Sequence, residues 1–353
     1  MPQMISQIFK YASKALTARQ FGRGGVKMNI KIFSGPRLVA AIALLMLTCG
    51  TPSHAWCANL WISFYGLGIE SYTSGQLKTS GTPTPIDLST FGNVPGIAFD
   101  KSNNLWAVIN GGEVVRFTPA QLKKLKTDPD PTPGVSITST LTFKVPAGCA
   151  FDHYGNLWVT DDENESIDEL SKAQLDAGSE NVTPAVVITS SDLHTPQFLT
   201  FDKAGNAWVE NQGSYQIVEF SASQLTGSGS KSASVVLSSD GSSSLDDPGQ
   251  IAFDHKGNLW VPNYSADTVV EFAKSQLASS GDPTPTVTLS SASFDGPWAV
   301  AFDSKGDLVA VNYIDGTIDK FTATQIKASG TPIPKVSVTG TAGNAQIIFG
   351  PAS

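Results

Sequence analysis

Residues 250–260 read QIAFDHKGNLW, and the chain says nearly the same thing four more times. GIAFDKSNNLW begins at Gly96, GCAFDHYGNLW at Gly148, FLTFDKAGNAW at Phe198 and AVAFDSKGDLV at Ala299. The anchor residues Phe99, Phe151, Phe201, Phe253 and Phe302 stand 52, 50, 52 and 49 positions apart, and Phe349 in QIIFG follows after 47. A fixed period of this length marks a repeat architecture, in which each unit buries its apolar face against its neighbours.

Each unit reads as four short strands. In the unit quoted, 251–253 ends in an Asp-x-x-Gly-Asn turn suited to a tight hairpin, and 259–261, 268–272 and 287–289 follow as further strands. Between the third and fourth strands lies a Gln-Leu segment. Its forms at 118–121, 171–174, 221–224 and 322–325 match a capping box opening one helical turn. Four-stranded units set around a ring make a β-propeller. The unit at Phe349 stops at Ser353, and Asn59-Leu60-Trp61, Ile69 to Tyr72, Gln76-Leu77 and Ile86 to Leu88 supply its missing strands. The expectation is an all-β, six-bladed propeller over 56–353, its ring closed by a blade split between the two ends, with no exposed sheet edge at the seam.

The units resemble NHL repeats, on Pro95 to Trp106 and Pro248 to Val261, with a longer unit because of the Gln-Leu segment. They are also similar to the wider TolB-like six-bladed set that includes gluconolactonase-like and streptogramin-lyase-like proteins. That resemblance implies a fold, and it leaves function open.

Composition sets the outer bounds. Of 353 residues, 41% are hydrophobic and 15% charged, with 32 Gly and 21 Pro, which excludes a disordered chain and a coiled coil. The net charge of −8 hides an asymmetry: residues 1–55 hold seven basic residues and no acid, leaving 16 basic against 31 acidic residues in 56–353, or −15. So acidic a body is repelled by nucleic acid and by anionic membranes. The run LVAAIALLML at 38–47, after Lys31 and Arg37 and before Ser53-His54-Ala55, has the layout of a signal peptide and is too short to span a bilayer. We expect a signal over 28–55 that starts at Met28, cleavage after Ala55, a non-native or unstructured extension over 1–27, and a secreted or periplasmic monomer. Lipidation at Cys49, or a transit peptide built on Ile5, Ile8, Phe9, Ala12 and Leu16, is the rival reading. Cys57 and Cys149 then remain in the exported chain, read as separate buried thiols.

Propellers bind ligands at one mouth of the channel, on the loops between second and third strands. The slot at the end of the second strand holds Asp161, Asn211, Asn263 and Asn312, whose converging oxygens would suit Ca²⁺, the one cofactor these loops suggest. Asn and Asp also cap their own turns, and recurrence of one residue type blade after blade favours that role. Trp61, Trp106, Trp158, Trp208 and Trp260 occupy one slot per blade and read as packing between blades. Trp298, Tyr264 and Tyr313 fall outside that slot and, with Gln250 and Gln346, are the candidate ligand contacts. His153, His194 and His255 are scattered, and there is no His-Glu-x-x-His, no Gly-x-Ser-x-Gly and no Glu-x-His of the kind streptogramin lyases use. With no catalytic motif in view, the reading is an exported binding propeller that takes a small molecule, glycan or protein at its mouth. The alternative is a divalent-cation-dependent lactonase or C–O lyase.

Overall fold

A computed structural model of the chain describes residues 59–88, 92–109, 111–138 and 143–351. The expected signal segment, Cys49, Cys57 and the loop residue Asn110 lie outside them. Six antiparallel sheets follow in chain order around a ring. Blade one joins Asn344–Gly350 to Asn59–Phe64, Gly68–Tyr72 and Ile86–Leu88, with Trp61 opposite Ile348 and Leu60 opposite Phe349 across the seam. The split blade is therefore present with the strands expected from the repeat.

In blades two to six the turn between the first and second strands is organised by an aspartate. In blade four Asp202 Oδ1 accepts from the backbone N–H of Ala204 and Asn206, and Oδ2 accepts from Asn206 Nδ2 (2.9 Å) and Trp208 Nε1 (3.3 Å). The same four-way acceptance recurs at Asp100 and Asp152. One carboxylate thus closes the turn and orients the tryptophan. The five tryptophans are buried, and each packs edge-on against the anchor phenylalanine of the next blade, from Trp61–Phe99 at 5.7 Å to Trp260–Phe302 at 5.8 Å. The core is a set of such seams: Trp158, Ile167 and Ile188 of blade three meet Leu199, Val209 and Phe220 of blade four. Full burial of one large apolar side chain contributes about 1.5–3 kcal/mol, so a repeated seam is the main source of stability.

Blade six breaks the pattern and repairs it. Asp307 stands where the others have Asn, and Val309 where they have Trp. Lys320 on the third strand, paired with Val309 in register, reaches Asp303 at 2.6 Å and Asp307 at 3.2 Å in a largely buried cluster. Burial opposes the charge on Asp303, yet its bonds to Lys320 and to backbone N–H groups hold it below the usual carboxylate range.

The Gln-Leu segment forms its capping box at Thr118/Gln121 and Ser171/Gln174 as expected. The glutamine does more than cap. Its Nε2 donates forward to the carbonyl before the fourth strand, from Gln76 to Thr84 (2.6 Å) through Gln325 to Ile333 (2.6 Å), in all six blades. The Ser-Gly that follows clasps the previous blade. Ser80, Ser228, Ser280 and Ser329 accept at Oγ from an N–H of its outer strand, and the adjoining glycines bridge to that strand. Those glycines adopt φ of 134–159°, which a side chain would strain. Cys149 is a free, buried thiol, and burial pushes its pKa up. Among the described residues no helix is long and apolar enough to cross a membrane.

Candidate functional site at the loop-rich mouth

The second strands all run toward one face, so the turns that follow them form the mouth. Asp161, Asn211, Asn263 and Asn312 end those strands and are fully buried. Asp161 accepts from the N–H of Lys144 (2.8 Å) and Val145 (3.1 Å) and from Asn164 Nδ2 (2.8 Å). Asn211, Asn263 and Asn312 accept at Oδ1 from His194, Asp246 and Asp295, and donate at Nδ2 to the carbonyls of Asp192, Ser244 and Ser293. Each therefore ties the loop entering its own blade to the second strand. A cation at this slot would have to compete with those bonds.

The inner strands crowd the axis. A Cβ on Gly148 would lie 2.6 Å from the Gln197 carbonyl, and one on Gly249 would overlap the Trp298 carbonyl. Gln250 and Gln346 lie inside this packing. Gln346 Oε1 accepts from Ile97 N–H (2.9 Å) and its Nε2 donates to the Cys149 carbonyl (3.0 Å), joining blades one, two and three. Gln250 Nε2 donates to the Ile347 carbonyl (2.8 Å) and its Oε1 accepts from the Ile347 N–H (2.7 Å), joining blades five and one. Both amides bond the innermost strands to each other, so their polar atoms are already matched to backbone groups.

The three aromatic candidates come together. Trp298, Tyr264 and Tyr313 form a mutual triangle with ring centroids 5.8–5.9 Å apart, and Phe198 approaches Trp298 at 5.9 Å. All three are partly exposed, and the Trp298 Nε1 is buried with no partner. Across the mouth, Tyr65 of blade one donates to Gln197 Oε1 of blade four (3.4 Å), and Gln197 Nε2 donates to Asp162 (3.0 Å). The Tyr65 side chain is 39% exposed, but desolvation of its phenol end among the mouth loops, then Tyr313, Glu210 and Asp162, push its pKa up to about 12. His194, the one histidine on this face, sits 3.8 Å from Glu165 at the rim.

Glu210 and Gln212 are not among the candidates named from sequence, and here they meet Asp247. Glu210 is fully buried, and neither carboxyl oxygen makes a hydrogen bond of normal geometry. Burial first, then Asp247, raise its pKa well above the usual range, while the nearby Phe198 N–H works in the opposite direction. Gln212 donates to Asp247, leaving its own Oε1 buried and unpartnered. A signal existed in the repeat. Glu210 occupies the slot where the other blades carry Ser63, Val108, Thr160, Pro262 and Val311. An acid there is a departure from an otherwise apolar or hydroxylated position.

No protein-family profile matches the chain, and no curated protein matches it in sequence. Solved structures do. A chain of the nidogen/laminin complex aligns over 83% of this chain and 98% of its own, with a TM-score of 0.57 at 14% identity. A protein from Lactobacillus plantarum gives the same TM-score and identity over 83% and 99%. A candidate 6-phosphogluconolactonase from Bacteroides uniformis aligns over the same shares, with a TM-score of 0.55 at 11% identity. Identities this low carry fold alone, and on that basis, with six four-stranded blades in a ring, the chain is a six-bladed β-propeller.

Proposed function

We propose that the chain is an exported binding propeller that engages its ligand at the loop-rich mouth. One observation carries this reading. Among the described residues seven large hydrophobic side chains stand exposed, and five of them (Tyr65, Leu67, Val145, Tyr215 and Ile314) lie on mouth loops. Exposed apolar groups gathered on one face mark an interaction surface. The aromatic triangle lies on the same face, where planar groups supply contact area at low conformational cost. The signal-like segment supports export, and the lactonase alternative asks for a metal at oxygens that here hold the loops.

The test is a thermal-shift screen of glycans, peptides and lactones against wild type and a Trp298→Ala/Tyr313→Ala variant. Compounds that stabilise the wild type should lose that effect in the variant, because only binding to the folded state raises apparent stability. Binding that survives the double substitution unchanged would move the site off the mouth. Turnover of a lactone by the wild type would revive the enzymatic reading.

A further inference from the structure

The mouth around blade four is short of donors. Three acceptor atoms there, both oxygens of Glu210 and Oε1 of Gln212, are buried with no hydrogen bond of normal geometry, Glu210 having only the nearby Phe198 N–H beside it. Buried acceptors in that state are costly and rare in native proteins. Two further carboxylates flank them, Asp162 from blade three and Asp247 from blade five, both partly exposed. The amide of Gln197 is donated to Asp162, and that of Gln212 to Asp247. No Lys or Arg is paired with any of these three acids among the described residues.

The aromatic triangle belongs to the same place. Phe198 is the register partner of Glu210 and touches Trp298, Trp298 touches Tyr313, and Tyr65 is perturbed by both Tyr313 and Glu210. Acceptors and aromatic rings therefore adjoin at the mouth, with Phe198 opposite Glu210 in register and against Trp298. Ring faces are negative and attract cations, most strongly when desolvated. Acceptors without donors call for N–H groups. An anionic ligand satisfies neither the acceptors nor the rings, and a neutral N–H donor satisfies the acceptors alone.

We infer that the mouth takes an organic cation bearing N–H donors, an ammonium or guanidinium head on an aliphatic stem, with the head against Glu210, Gln212, Asp162 and Asp247 and the stem against Trp298, Tyr264 and Tyr313. This rests on the mouth being the binding face. Lys and Arg side chains and free alkylamines share that chemistry. The exposed apolar rim favours a peptide segment as the source.

The probes are butylguanidinium and its neutral isostere butylurea, titrated into the whole exported chain, residues 56–353, with tryptophan fluorescence and calorimetry as readouts. The expected result is a preference for the cation of roughly tenfold or more, about 1.4 kcal/mol. Glu210→Gln keeps the shape and removes the carboxyl, whose ionised form burial opposes and a bound cation would favour. It should lower affinity for butylguanidinium by a similar factor and leave butylurea unchanged. A blocked Gly-Arg-Gly peptide binding more tightly than butylguanidinium identifies a peptide segment as the source, and weaker binding identifies a free amine. Equal binding of cation and isostere, or no binding of either at millimolar concentration, overturns the cation inference and leaves the mouth reading standing. Butylguanidinium affinity that is unchanged in Trp298→Ala/Tyr313→Ala places the site elsewhere and overturns both.

Discussion

Asp168→Val should make this protein more stable, and more so as pH rises. Asp168 is the middle residue of the third strand in blade three, facing the seam with blade two. The corresponding position is Val115, Val218 and Val270 in blades two, four and five, each buried in the cluster shared with the preceding blade. Asp168 is 1% exposed, and its Oδ1 has no hydrogen-bond partner. Burial, opposed by Ser166 and assisted by Asp161, raises its pKa from 3.8 to about 7. The folded chain therefore keeps a proton that the unfolded chain has released, and folding stability falls as pH climbs from about 4 through about 7. At about 1.4 kcal/mol per decade the full penalty above that range is about 4 kcal/mol. Local water and side-chain adjustment reduce it, so Val should raise unfolding free energy by roughly 2–4 kcal/mol near pH 8, with most of the gain gone near pH 4. Urea unfolding of both proteins across that pH range measures the difference, and taking the difference cancels the other buried acids. Asp168→Asn should remove the pH dependence while stabilising less, because an amide still needs partners. A Val variant less stable than wild type near pH 8, or a difference that does not change with pH, refutes the reasoning.

Lys320→Met should cost about 2–4 kcal/mol, because it leaves the adjoining carboxylates of Asp303 and Asp307 in a mostly buried site without their cation. The folded pKa of Asp303 lies below its unfolded value, so its contribution is present above about pH 4 and lost as pH falls through the lower value. Lys320 is shifted upward, its pairing with Asp303 and Asp307 outweighing burial, so its contribution is present below about pH 10.4 and lost as pH rises past the folded value. Acid and alkaline unfolding midpoints should therefore both contract in Lys320→Met. Gln346→Leu should destabilise by about 2–4 kcal/mol, since the Ile97 N–H and the Cys149 carbonyl lose their partners at the crowded axis. Calorimetric unfolding checks this, and a melting temperature equal to wild type would show that the axial amide is dispensable.

The repeat made the fold legible because each feature that defines a blade is local. Phe253, Asp254, Asn258 and Trp260 lie within eight positions, and their period alone implies the ring and its split blade. Residue type was legible at the mouth, and its recurrence favoured turn capping, but the partners were not legible. Asp161 and the three asparagines carried oxygens suited to a cation, and only their neighbours from the incoming loops, 16 to 20 positions away, reveal them as loop ties. Gln250 and Gln346 are candidate ligand contacts by sequence, and what sequence does not show is that their amides also bond the inner strands to each other at the axis. The aromatic triangle of Trp298, Tyr264 and Tyr313 assembled as a group, being drawn from two neighbouring blades.

What the sequence by itself determined was the blade, its turn chemistry, the number of blades and the face on which the variable loops lie. Tertiary structure decided which residues meet across that face. Tyr65 and Gln197 are 132 positions apart and belong to opposite blades, and Glu210 has no unusual neighbour within its own hairpin. Such contacts follow from the closure of the ring, which sums the tilt of every blade. A period fixed by near-neighbour packing holds no record of that sum.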